Sequence, residues 1–150
     1  MHKCAWIAAG LLLLSGLAPA QVRRPPAGAA SGAAGGAKVQ ETTNVINDCE
    51  KRTNTFKREV RLKLKADAPK LQRDADQLEE AINKVGDSWD RDHDPQKTRS
   101  YVTAAIAIGQ QINGYFTTIK GSGDLSQQWA AVRAELNRLA QTFNLPAIRW

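Results

Sequence analysis

Apolar side chains recur along this chain at alternating spacings of three and four, four times over, and that rhythm belongs to amphipathic helices. In the first segment Ile46, Cys49, Thr53, Phe56 and Val60 fall on one seam, continued backwards by Val39 and Thr42 and flanked by Leu64. The second reads Leu71, Ala75, Leu78, Ile82, Val85 and Trp89, and the third Val102, Ala105, Gly109, Ile112, Phe116 and Ile119. A fourth runs Leu125, Trp129, Val132, Leu136, Leu139 and Phe143. One seam per helix is buried by packing helices at shallow angles around a shared core. The pattern therefore predicts an all-α, up-down-up-down four-helix bundle over residues 39–150.

Punctuation between the segments agrees. Ala66-Asp67-Ala68-Pro69 closes the first and opens the second, and Asp94 before Pro95 supplies an N-cap with proline in the first turn. Gly121-Ser122-Gly123 ends the third, Asp124 and Gln127 have capping-box spacing for the fourth, and Asn144-Leu145-Pro146 stops it. Links this short make sequential helices antiparallel neighbours.

Ahead of the bundle the pattern changes. Lys3, the apolar run from Ala5 to Leu17 and the small residues Ala18-Pro19-Ala20 read as a signal peptide over 1–20 with cleavage near Ala20, hence a periplasmic or secreted product. The run is short for a membrane span. Position 21 is Gln, where a lipoprotein would carry Cys. Residues 21–38, nearly all Ala, Gly, Pro and Ser, have too little apolar surface to offset the entropy of ordering and read as a flexible linker.

Cleavage narrows the chemistry. It removes Cys4, the single methionine and one of two histidines, leaving Cys49 without an internal disulfide partner. Cys49 is then either a small buried hydrophobe on the first seam or a handle for an intermolecular bond. His93 alone makes neither a zinc site nor a haem ligand pair. Asp90, Asp92 and Asp94 alternate as a calcium loop begins, yet the positions that would need Gly and Glu hold Pro95 and Tyr101. No catalytic, cofactor-binding or metal-ligating residue is therefore assigned, and the chain is read as a non-enzyme.

Surface readings remain. Seven bases against Glu59 alone lie between Lys51 and Lys65, followed by nine acids against four bases from Asp67 to Asp94. Lys51, Arg58 and Lys65, seven apart with Arg61 beside them, form a basic stripe opposite the first seam. It either meets a polyanion or partner, or is a solvated face paired with the acidic second helix. Nucleic acid fits poorly, because no aromatic stacking platform accompanies the bases. The third segment is uncharged from Ser100 to Ile119, but its Thr, Gln and Asn content argues against a membrane span. Tyr101, Ile108 and Tyr115 flank its seam, either widening the core or forming a contact face for self-association or a partner protein. Gly109 on the seam would admit close approach of another helix.

The fourth segment, Trp129-Ala-Ala-Val-Arg133-Ala-Glu-Leu136-Asn137-Arg-Leu139-Ala140 followed by Phe143-Asn144-Leu145-Pro146, resembles a group of small exported bacterial helical-bundle proteins. Arg52-Thr53-Asn54 and Phe56 are similar too. The resemblance implies export and a bundle fold; it carries no activity to any residue. The sequence thus points to a non-catalytic exported bundle acting by protein–protein interaction or self-assembly, with polyanion or ligand binding by the basic stripe as the alternative.

Overall fold

The computed structural model describes residues 29–64, 68–118 and 123–149. The region read as a signal peptide lies outside them, as do Lys65 and Ile119. Four helices carry the chain: α1 (Ala29–Leu64), α2 (Pro69–Asp92), α3 (Pro95–Thr118) and α4 (Gly123–Thr142). No strand occurs among the described residues, and no helix there is long and apolar enough to cross a membrane.

Each helix packs against two others, α1 and α3 both between α2 and α4, with no backbone contact across either diagonal. Arg61 meets Asp76 while Trp89 reaches back to Thr43, so α1 and α2 run antiparallel. Lys63 with Asp124 and Arg138 with Asp48 show the same for α1 and α4. All the described seam residues from Ile46 to Phe143 are buried, and Val39 and Leu64 at the ends of the first seam are half-buried. At the centre Phe56, Phe116 and Trp129, from three helices, meet at centroid distances of 5.5–6.1 Å, with Phe116 and Trp129 stacked.

Helix ends follow local chemistry. Pro69 and Pro95 open α2 and α3, where a missing N–H leaves no bond unmade. Asp94 caps α3 through its side chain, accepting from the Gln96 N–H at 2.8 Å. His93, left-handed at φ 49°, turns the chain between α2 and α3, its N–H donating to Trp89 O at 2.8 Å. Asn144, also left-handed at φ 54°, ends α4 in a Schellman motif: Leu145 N–H bonds Ala140 O and Asn144 N–H bonds Gln141 O. Asp124 sits in the first turn of α4, where its carboxylate pairs with Lys63 rather than closing a cap.

Two features depart from the expected layout. Helix α1 begins at Ala29, inside the stretch expected to be a flexible linker; residues 21–28 of that stretch lie outside the described residues. Alanine has the highest helix propensity, glycine costs only about 1 kcal/mol per residue, and a helix already nucleated by the seam extends without a second nucleation. Gly35 and Gly36 have open space where a side chain would be and residues 35–38 are exposed, so that part of the extension is held by its own backbone rather than by burial.

The second departure is the tail. After Asn144 the chain folds back along α3 and α4 and buries Ile148. Asn137 brackets that residue, its Oδ1 accepting from Ile148 N–H at 2.7 Å and its Nδ2 donating to Ile148 O at 3.2 Å. Asn113 donates to Arg149 O at 2.9 Å and accepts the buried Trp129 indole N–H at 3.0 Å. Gly109 is where this packing closes. A β-carbon there would lie 2.7 Å from Ile148 Cδ1 and 2.9 Å from Leu136 Cδ1, so the glycine admits a leucine of the neighbouring helix α4, as its place on the seam suggested, and the tail as well.

Losing the Asn113 amide would strand a buried indole donor, which costs about 1–3 kcal/mol. Asn113→Ala is accordingly expected to lower the unfolding free energy by about 2 kcal/mol. In a Trp129→Phe background the same change should cost roughly 1 kcal/mol less, because no donor is left unpaired. Urea unfolding followed by circular dichroism measures both.

Candidate functional site

The basic stripe of α1 is largely answered by α2. Arg61 holds Asp76 through both carboxylate oxygens, at 2.8 and 2.9 Å. Lys57 pairs with Glu79 and lies 3.7 Å from Asp76. Lys51 and Arg58 are exposed and form no ion pair among the described residues, and Lys65 lies outside them. The structure therefore brings Arg58 and Arg61 onto one face but neutralises Arg61, leaving a broken stripe rather than a continuous one.

Cys49 is fully buried and unbridged. Burial is the main force pushing its thiol up to about 12, with the negative charge of Glu135 adding to it and the Thr53 hydroxyl opposing. A thiol held neutral in this way is a poor nucleophile and is shielded from a second chain.

Glu50, half-buried beside it in sequence, is the other unusual acid. Gly86 provides the room, since a β-carbon there would collide with the Glu50 carboxylate. Burial raises the Glu50 pKa first, and the like charges of Asp90 and Asp87 raise it further. The neighbouring acidic turn is spoken for: Asp94 caps α3 and Asp92 takes Lys97 at 2.8 Å, a bond that also lowers the Asp92 pKa. Among the described residues no three side chains of metal-ligating type converge.

Tyr101, Ile108 and Tyr115 do lie along one edge of α3, graded from exposed to half-buried. Tyr101 is 40% exposed, while Ile108 and Tyr115 lean on the core. Between α2 and α3 they leave a shallow groove of about 220 Å3, lined by Ala81, Tyr101, Ala104 and Ile108 and rimmed by the Glu80–Lys84 ion pair.

A second concavity was not anticipated. Where α2 turns into α3 and α4 gives way to the tail, a cleft of about 310 Å3 opens against the first turns of α1. Trp89 and Phe143, edge to face at 6.0 Å, form its apolar floor with Val39 and Thr42. Trp89 is fixed there by donating its indole N–H to Thr43 Oγ1 at 2.9 Å, and Thr43 in turn donates to Val39 O at 3.0 Å. Lys38, His93 and Arg99 stand at the rim, and among the described residues no carboxylate lines the cleft. Its residues come from three separate stretches of sequence, 35–42, 89–99 and 142–144. Antiparallel order was the available signal, since it puts the α2–α3 turn and the end of α4 at the same end of the bundle as the start of α1.

No protein-family model, curated protein or solved structure matches the chain.

Because the Glu50 carboxyl is raised above its ordinary value of 4.5, its contribution to stability is complete below pH 4.5 and is lost as pH rises through the folded value. Glu50→Gln should therefore melt at a higher temperature than the parent at pH 7, with the gap closing below pH 4.5. Thermal melts across that range read the effect.

Proposed function

We propose that the chain is an exported, non-catalytic helical bundle that acts in the periplasm or envelope by assembling with a second copy of itself through the outer face of α3. The observation that carries this reading is the absence of charge on that face. From Ser100 to Thr118 every exposed position is Ser, Tyr, Thr, Ala, Gln or Gly, in a chain of which 24% is charged. Solvated faces of bundle helices ordinarily carry charges. At roughly 1.5 Å per residue the uncharged strip is about 28 Å long, the length of a helix–helix contact.

Shape supports the same reading. Ala104, Ala107, Gln111 and Gly114 are exposed at spacings of three and four, so a facing helix can approach along them. Tyr101 and Ile108 supply apolar contact beside this strip. The rim is self-complementary, because Glu80 and Lys84 carry opposite charges one turn apart and a two-fold axis would set each against its opposite in the other copy. Cys49 takes no part, being buried.

Ala107 is exposed, so Ala107→Arg should leave the fold intact while placing a charge in the middle of the contact. Sedimentation equilibrium at roughly 100 μM, where a micromolar dissociation constant is near saturation, should give a dimer for the parent and a monomer for the variant. A monomeric parent, or a variant that still dimerises, overturns self-assembly through α3. Export is tested separately. N-terminal sequencing of protein recovered from the envelope or medium should begin at Gln21, and an intact N-terminus on cell-retained protein would refute it.

A further inference from the structure

The cleft at the end of the bundle has the makings of a ligand site that is independent of the α3 face. We propose that it binds a small carboxylate carrying an apolar body, with the anionic head between Arg99 and Lys38 and the body against Trp89 and Phe143.

Charge is the first reason. Lys38 from α1 and Arg99 from α3 line the cleft without an ion pair among the described residues, and His93 from the turn between α2 and α3 stands beside them. The nearest acids on the α2–α3 turn are engaged, Asp92 by Lys97 and Asp94 by the backbone of α3. Arg99 is held in place by one hydrogen bond, Nη2 to Asn144 O at 3.2 Å, which leaves the other guanidinium N–H groups to an incoming anion.

The floor gives the second reason. Trp89 has already satisfied its indole N–H on Thr43, so what remains toward the cleft is ring surface, fixed before any ligand arrives. Thr42 is buried in the floor and its hydroxyl makes no hydrogen bond to any described residue, so it can orient a bound molecule. A volume of about 310 Å3 lies at the small end of pockets that hold organic ligands.

The same geometry argues against a bare phosphate. Phosphates favour free N–H groups at a helix N-terminus, and at α3 the amides of Gln96 and Lys97 already point to Asp94 Oδ1, at 2.8 and 3.4 Å. An apolar ligand without charge would leave Lys38 and Arg99 unused. A carboxylate with a short aliphatic or aromatic body uses both halves of the site.

The test is a titration of the full-length protein followed by nitrogen-15 correlation spectra, with octanoate and 2-naphthoate as probes and octan-1-ol and inorganic phosphate as controls. The proposal expects saturable shifts at the Trp89 indole N–H and at the amides of Thr42, Arg99 and Phe143 for at least one carboxylate, and about tenfold weaker binding of both controls. Arg99→Gln and Lys38→Gln, both at exposed positions, should each weaken the carboxylate about tenfold with no change in melting temperature. Whichever carboxylate binds more tightly identifies the body as aliphatic or aromatic. Shifts that never saturate or scatter over the surface, equal binding of octan-1-ol or phosphate, or unchanged affinity in both variants would each overturn it.

Discussion

The hydrogen bond from the Trp129 indole to Asn113 is the constraint on which most of this structure turns. Trp129 is the largest fully buried side chain and stacks on Phe116 at the centre of the core. Its N–H cannot be left dry and unpaired without a penalty that the stacking would hardly offset. Asn113 satisfies it from α3, and an amide that accepts at one end must donate at the other, which it does to the carbonyl of Arg149. Pairing one buried donor thus fixes the path of the tail, and that path places Ile148 over Gly109. The aromatic core, the glycine and the last described residues are one arrangement.

That arrangement also decides which side of α3 faces outward. With Ile148 and Leu136 filling the space, the seam is closed by the chain's own residues and the uncharged strip on the opposite side is left as the surface of α3. Charge elsewhere is largely settled within the molecule. Arg61 and Lys57 meet Asp76 and Glu79 across α1 and α2, and exposed pairs of this kind contribute only about 0–1 kcal/mol each while screening one another from outside partners.

Much of the bundle was legible because a seam of apolar residues at helical spacing has few alternatives: each described seam position is buried or, at the ends of the first seam, half-buried. Asp94 and Asn144 were equally readable, since a cap is a local bond between near neighbours. The tail was not. Asn113 and Arg149 are joined across 36 residues by a side-chain amide and a backbone carbonyl, and nothing periodic marks either one. The start of α1 at Ala29, inside the Ala/Gly stretch, was not legible for another reason. Composition reports that it cannot make a core, which is true, but a helix extended from a packed segment needs no core of its own.

The cleft eluded the sequence for a related reason, and its construction has a consequence for α1. Lys38 and Gly35, on the part of α1 that has least packing, form one wall, while Trp89, Arg99 and Phe143 form the rest from the packed end of the bundle. A ligand touching both would favour the helical extension over its unwound alternatives, because it binds only when that wall is present. In the opposite sense, unwinding of the extension would withdraw Lys38 and open the floor to water. Residues 35–38 would in this view be both a connection into the bundle and one wall of the proposed site, so their helical state and the occupancy of the cleft would be thermodynamically linked.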